Sequence, residues 1–235
     1  MKVKILFILM GSILFLQSCA PSQITKMKAV GSLDQKIGYD GTVVSQKKHL
    51  VSLTPYIKLD DAITNLGVAK DKIKFFLTVQ NCGEEPINIG YDNILVIFEG
   101  NSKDWTSNKI IIQSSDDFMN DFEKEYNEKE LKYIYSTLYE IYHLSLLNIG
   151  VMDKLEELKY DIEEMRLQNA VLREILPGIV MKPETIMAGN SYSAIVVCDT
   201  RNLDPKIEGK FRIAVLVDGE EHRFTFNRSL YDKKQ

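Results

Sequence analysis

The chain has 235 residues, of which 45% are hydrophobic, 26% charged and 9% aromatic. An ordinary apolar fraction with only 13 Gly and 6 Pro excludes disordered and collagen-like chains, and leaves room for one sizeable core with or without an appendage. With 29 Lys+Arg against 33 Asp+Glu and a net charge of −4, binding of nucleic acid through bulk charge is excluded as well.

Lys2 and Lys4 form a positive start, followed by an uncharged, mostly apolar run from Ile5 to Leu16. The run is about half of what a bilayer crossing needs and ends in small and polar residues, so residues 1–18 read as a signal peptide. A buried core helix rarely runs apolar on every face after such an opening. The run exits through Leu16-Gln17-Ser18-Cys19. This motif resembles the lipobox of bacterial lipoproteins. The resemblance implies cleavage after Ser18, a diacylglyceryl thioether on Cys19 and acylation of the new amine. Ala20, rather than Asp, follows the lipidated cysteine, which in Gram-negative lipoproteins of this kind implies sorting to the outer membrane. Losing Lys2 and Lys4 leaves 27 basic against 33 acidic side chains, a net charge of −6. Membrane attachment then comes from acyl chains, at about 0.8 kcal/mol per buried CH₂, and not from charge.

Residues 19–39 are polar and without periodicity, and read as a lipidated tether. A strand pair is expected next, Thr42 to Ser45 and Leu50 to Leu53 around a turn at Gln46-Lys47-Lys48, with a turn or short helical piece over Asp60 to Gly67. Ile73, Phe75, Leu77 and Val79 alternate with Lys74, Phe76, Thr78 and Gln80, the period-2 pattern of a half-buried strand. Ile87 to Ile89, Asn93 to Phe98, Lys109 to Gln113, Ser191 to Cys198 and Phe211 to Val217 continue the β pattern. Asp218-Gly219 predicts a hairpin into His222 to Phe226. Roughly eight short strands suit a two-layer antiparallel sandwich.

From Asp116 to Leu176 the composition changes to Glu, Lys, Leu, Tyr and Met, with no Pro and only Gly150. Leu131, Ile134, Leu138 and Ile141 recur at helical spacing. Leu155, Leu158, Ile162, Met165, Asn169, Leu172 and Leu176 hold a heptad, with Asn169 at an inward position. Two helices of roughly 20 residues are expected, about 30 Å long, folded as an antiparallel coiled-coil hairpin reversing near Gly150. Phe118 and Phe122 suggest a short lead-in helix, and Pro177-Gly178 predicts the stop. The domain plan is therefore a β-sandwich from 40–114 and 177–235, with the hairpin of 115–176 inserted between its fourth or fifth strand and the rest.

The run Phe75 to Asn81 followed by Glu85-Pro86-Ile87-Asn88-Ile89, together with Ala188-Gly189-Asn190-Ser191 before Tyr192 to Val197, resembles immunoglobulin-like sandwiches of bacterial envelope proteins. The resemblance implies that the strands ending near Cys82 and at Cys198 are antiparallel neighbours. Their thiols would then lie about 25 Å apart and stay free, Cys198 in the core and Cys82 in a turn.

Glu140-Ile141-Tyr142-His143 has the Glu-x-x-His spacing of di-iron bundles, but those sites take two such motifs and further carboxylates. His49 and His222 sit in β regions, so His143 reads as a surface histidine and no metal is expected. The pairs Glu156/Glu157 and Glu163/Glu164, interspersed with Lys154, Lys159 and Arg166, read as a solvated face with i,i+4 ion pairing. No nucleophile–base set, phosphate loop or Cys-x-x-Cys is present, and no cofactor is implied. Tyr126, Tyr133, Tyr135, Tyr139 and Tyr142 crowd the first long helix. Rings at this spacing commonly pack across a hairpin or onto a sheet, yet tyrosine is also an interface residue, and Tyr133, Tyr135, Tyr139 and Tyr142 are the candidate interaction residues. Asn169 joins them, since a polar heptad position sets register and partner; it would pair with Asn148 or Ser145 inside the hairpin, or with its own copy in a dimer.

The chain thus reads as a non-enzymatic, lipid-anchored envelope protein. Its arm would serve a protein partner or self-association, with the membrane reached through Cys19. The alternative is a ligand-binding or accessory lipoprotein that uses its sandwich loops.

Overall fold

Period-2 alternation is the organising signal of the β part. The computed structural model describes residues 24–32, 35–55, 72–101, 107–147, 150–204 and 207–231. The signal peptide, the lipobox with Cys19 and the piece over Asp60 to Gly67 lie outside the described residues. Twelve strands are described: β1 (Ile24–Val30), β2 (Gln35–Ile37), β3 (Val43–Gln46), β4 (Leu50–Pro55), β5 (Lys72–Gln80), β6 (Ile87–Ile89), β7 (Ile94–Gly100), β8 (Asn108–Ile112), β9 (Glu184–Ile186), β10 (Ser191–Asp199), β11 (Gly209–Val217) and β12 (Glu220–Tyr231). Two long helices, α1 (Ser115–Leu147) and α2 (Val151–Ile179), stand between β8 and β9.

Ten strands form one antiparallel sheet in the order β1-β12-β11-β7-β8-β10-β5-β4-β3-β2, and β6 pairs with β9 apart from it. β8 pairs with β7 through Val96↔Ile110 and with β10 through Cys198↔Ile112, so the two expected layers are continuous through this short strand. The sheet folds back on itself there. Phe75 of β5 meets Phe211 of β11 and Phe226 of β12 at ring-centroid distances of 6.2 and 5.3 Å. Around them Val51, Leu53, Leu77, Val96, Phe98, Val215 and Phe224 close a single core. The far edges also approach: Gln35 donates to the Arg223 carbonyl, and the Lys47 ammonium donates to the Glu221 carbonyl at 2.7 Å. The β11–β12 hairpin turns on Asp218 and Gly219, with φ of 48° and 80°; the left-handed pair suits the right-handed twist of the strands, and glycine takes it without strain.

Several expectations need correction. The segment read as a structureless tether supplies β1, paired along β12, and β2, paired with β3. Backbone pairing at a sheet edge needs little side-chain patterning, which is why the polar composition hid it. The arm follows the eighth strand, later than expected. The lead-in at Phe118 is the first turn of α1, which runs unbroken for 33 residues. Ser114 caps it: its Oγ accepts the Asp117 N–H at 3.0 Å and donates to the Asp117 carboxylate at 2.7 Å. At the other end Pro177 lies inside α2, and Val180 N–H still reaches the Leu176 carbonyl at 2.9 Å. In a last turn the proline forfeits one helical bond, so it does not stop the chain where the sequence places it.

Candidate interaction surface on the helical arm

The arm is fixed at its root. Phe118, Phe122 and Tyr126 of α1 pack with Leu176, Val180 and β10's Ile195 and Val197 in a second buried cluster. Successive β10 residues point to opposite faces, so Ala194, Val196 and Cys198 line the main core while Ile195 and Val197 carry the arm. The same coverage buries Lys72 on β5, whose ammonium is 2.7 Å from Asp121 and 3.9 Å from Glu125. Gln113 donates to Asp121 as well, at 2.8 Å. Burial pushes the Asp121 carboxyl up, but the Lys72 and Gln113 hydrogen bonds and the charges of Lys72 and Arg201 outweigh it and hold its pKa below the ordinary value.

Beyond the root the two helices run antiparallel. Glu123 pairs with Arg173 at 3.6 Å, Glu130 with Arg166 at 2.7 Å, and Tyr133 donates to Asp161, so position rises on one helix as it falls on the other. The ion pairs bracket Tyr126 and Asn169, which sets these two buried residues opposite each other near the root. Asn169 is thus buried within one copy of the hairpin, away from the tip. Ser145, its expected partner, donates instead to the Tyr142 carbonyl of its own helix at 2.6 Å, and Asn148 lies outside the described residues. The outer seam is thin: among the described residues beyond Tyr126, only Thr137, Ile141 and Leu158 are buried there with Asn169.

The candidate tyrosines divide on this geometry. Tyr126 is core, and Tyr133 spans the hairpin to Asp161. Tyr135, Tyr139 and Tyr142 are 69%, 66% and 59% exposed. Leucines join them: Leu131 and Leu138 are exposed at 51% and 44%, Leu146 and Leu147 at 65% and 67%. At 100° per residue, Leu131, Tyr135, Leu138, Tyr139, Tyr142 and Leu146 fall within an arc of about 100° on the side of α1 away from the seam. Leu131 and Leu138 share the helical spacing of Ile134 and Ile141 but not their burial. Once Phe118, Phe122 and Tyr126 dock, the helix phase carries the seam to Thr137 and Ile141 and turns these leucines out.

An open groove of about 1120 Å³ runs along α1, and its described lining, from Glu128 to Leu147, lies wholly on that helix. Lys132, Ser136, Glu140, His143 and Leu144 line it together with Leu131, Tyr135 and Tyr139. His143 sits edge-on to Tyr139 and Tyr142, with centroids 4.4 and 5.7 Å away. Glu140 and His143 are both exposed, and among the described residues no group of three or more His, Cys, Asp and Glu is placed to hold a metal ion. The groove residues Lys132, Ser136 and Leu144 escaped the sequence reading. The available signal was that α1 carries apolar residues on two opposite faces while a hairpin covers one.

The β domain holds a second polar cluster that was not expected. His222 Nδ1 is 3.0 Å from the Ser45 hydroxyl and its Nε2 3.9 Å from Glu220, while His49 Nε2 is 3.5 Å from Asp218, itself paired with Lys48. Burial, with the nearby Lys47 charge, lowers the His222 pKa. Ser45 and His222 are both buried, so the group ties β3 to β12 and offers no nucleophile to a substrate. Cys82 is exposed and Cys198 buried, both free, and complete burial pushes the Cys198 thiol up to about 12. Their strands are antiparallel neighbours, with Cys198 opposite Ile73 at the far end from Gln80.

No helix among the described residues is long and apolar enough to cross a membrane. No protein-family model matches the chain, and no curated protein and no solved structure matches it either.

Proposed function

We propose that the chain is a lipid-anchored protein of the bacterial cell envelope, sorted to the outer membrane, that works without catalysis as a protein-interaction module. The β domain is the scaffold, and the helical arm presents the binding surface. We further infer that the folded-back sheet is a variant of the immunoglobulin-like sandwich, with β5 and β10 as its paired central strands. The observation that carries the functional reading is the stripe of exposed tyrosines and leucines along α1. Contiguous apolar surface rimmed by polar residues marks sites of association, and tyrosine is enriched in them. The anchor rests on Leu16-Gln17-Ser18-Cys19.

Two measurements test this. Full-length protein in membranes, carrying Tyr135→Asp, Tyr139→Asp and Tyr142→Asp together, should lose its cross-linked protein complexes while staying folded. Undiminished complexes would sink the arm as the binding surface. Cys19→Ser should abolish fatty-acid labelling, and persistence of the label would sink the anchor.

A further inference from the structure

We propose, resting on the anchor reading above, that the Ile24 end of the β domain is a membrane-facing surface, held against phospholipid headgroups by the start of β1.

The argument begins with the length of chain left outside the sheet. If residues 19–39 were all free tether, the domain could roam to about 70 Å from its lipid. β1 removes most of that length, because it begins at Ile24, the fifth residue after Cys19. Whatever path the link follows, it reaches no farther than about 18 Å. β12 alone, from Tyr231 opposite Ile24 to Glu220, is about 36 Å long. The link is therefore shorter than the body it holds: the Ile24 end is confined to the bilayer surface, while the other end is free to stand away from it.

β1 is not reserve length. It keeps an unbroken register with β12 from Ile24↔Tyr231 to Val30↔Thr225, and Met27 and Ala29 pack against the main core. Peeling the strand away would expose both side chains and give up every backbone bond of that ladder.

The register also decides which part of the domain meets the lipid. Gly209 lies opposite Arg228 on β12 and opposite Gly100 on β7, so the ends of four strands gather near Ile24. Asn101 N–H donates to the Glu208 carbonyl at 2.9 Å and closes this end between β7 and β11. Exposed side chains here, among them Lys28, Asn101, Ser107 and Glu208, are polar, which suits contact with hydrated headgroups and not insertion among acyl chains. The Asp218-Gly219 turn and the His49 and His222 cluster occupy the opposite end. A partner of the arm is then met by a domain seated on the membrane, not by one on a long flexible lead.

The test uses the processed, full-length protein in vesicles of phosphatidylethanolamine and phosphatidylglycerol that carry a short-range energy acceptor on the headgroup. Cys82→Ser leaves no exposed native thiol, and a donor dye is placed on Lys28→Cys or on Glu221→Cys, both exposed positions. These lie about 20 Å apart along the β1–β12 ladder, and transfer from Lys28→Cys should exceed that from Glu221→Cys about threefold. Inserting about twenty Gly and Ser residues between Ser22 and Gln23 adds a coil of roughly 25 Å and should remove that excess, with the protein still in the vesicles. Equal transfer from the two positions in vesicle-bound protein overturns the membrane-facing end and leaves the anchor standing. An excess that survives the inserted spacer overturns the short link as its cause. Protein without fatty-acid label and absent from the vesicles overturns the anchor, and the surface with it.

Discussion

The root of the arm and its outer reach belong to the same two helices and have similar compositions, yet they are built on different terms. At the root, Phe118, Phe122 and Tyr126 bury completely against Ile195 and Val197, and the Lys72 ammonium is enclosed with Asp121. Farther out, large side chains such as Tyr139 and Leu146 remain in water. Helix propensity and apolar content do not separate the two regions; the presence of a sheet face to cover one side does. Apolar residues on a helix are an offer of burial. The molecule itself takes up that offer fully within reach of β10, and beyond it only along the narrow seam that buries Ile141 and Leu158.

The comparison breaks most sharply at Phe122. Phe122→Ala empties the root of a fully buried ring and should destabilise the protein by about 4 kcal/mol, read from the midpoint of urea unfolding. A loss below about 1 kcal/mol would show that the root is not the foundation of the arm. Next comes Asp121→Ala, which takes away the closest carboxylate of the buried Lys72 ammonium and leaves Glu125 at 3.9 Å; the expected loss is about 3 kcal/mol by the same measurement. On the outer arm Ile141→Ala should cost about 2 kcal/mol, because its site is partly open, and Leu138→Ala should stay within about 0.5 kcal/mol. Equal losses at Leu138 and Phe122 would erase the distinction.

Acid should dissect the β domain and the root in two steps. The His222 pKa is depressed below its ordinary 6.5, so the folded state resists protonation and stability is lost as pH falls below 6.5 and through the lowered value. The Asp121 pKa is depressed below 3.8, so its contribution is intact above that value and is lost as pH falls through the folded pKa. Unfolding midpoints measured against pH should therefore show an early decline that His222→Gln removes, and a later one that Asp121→Asn removes. An early decline unchanged in His222→Gln would reassign the first step. The smallest effect concerns the thiols: iodoacetamide on the native protein should label Cys82 rapidly, and Cys198 only after denaturation, as intact mass would record.

Much of the candidate surface was legible before any coordinates. Tyr135, Tyr139 and Tyr142 stand out as a cluster on a long helix, and two long-range facts about the hairpin, its reversal at Gly150 and its antiparallel sense, follow from spacing. What stayed hidden was phase. Leu131 and Leu138 share their spacing with Ile134 and Ile141, and a period alone does not say which of two apolar faces meets the partner helix. Asn169 shows the same limit. Its inward position was readable, but its place opposite Tyr126, away from Ser145, depends on how far each helix extends before the turn, and the capping at Ser114 starts α1 ahead of Phe118 so that it runs 33 residues.

By itself the sequence determined the local things: strands where apolar and polar residues alternate, the Asp218-Gly219 turn where two residues take positive φ, and helices where Pro and Gly are missing. Tertiary structure alone decided which faces are inside. Lys72 and Lys74 occupy the side of β5 that alternation assigns to solvent, and both are buried, because that side lies beneath the arm. Ile195 and Val197 give β10 a second apolar face for the same reason. The polar strands β1 and β2 exist because β12 and β3 offer them unpaired backbone. Alternation is a short-range code carried by neighbouring residues, whereas coverage depends on segments dozens of positions away, and no window on the chain contains both.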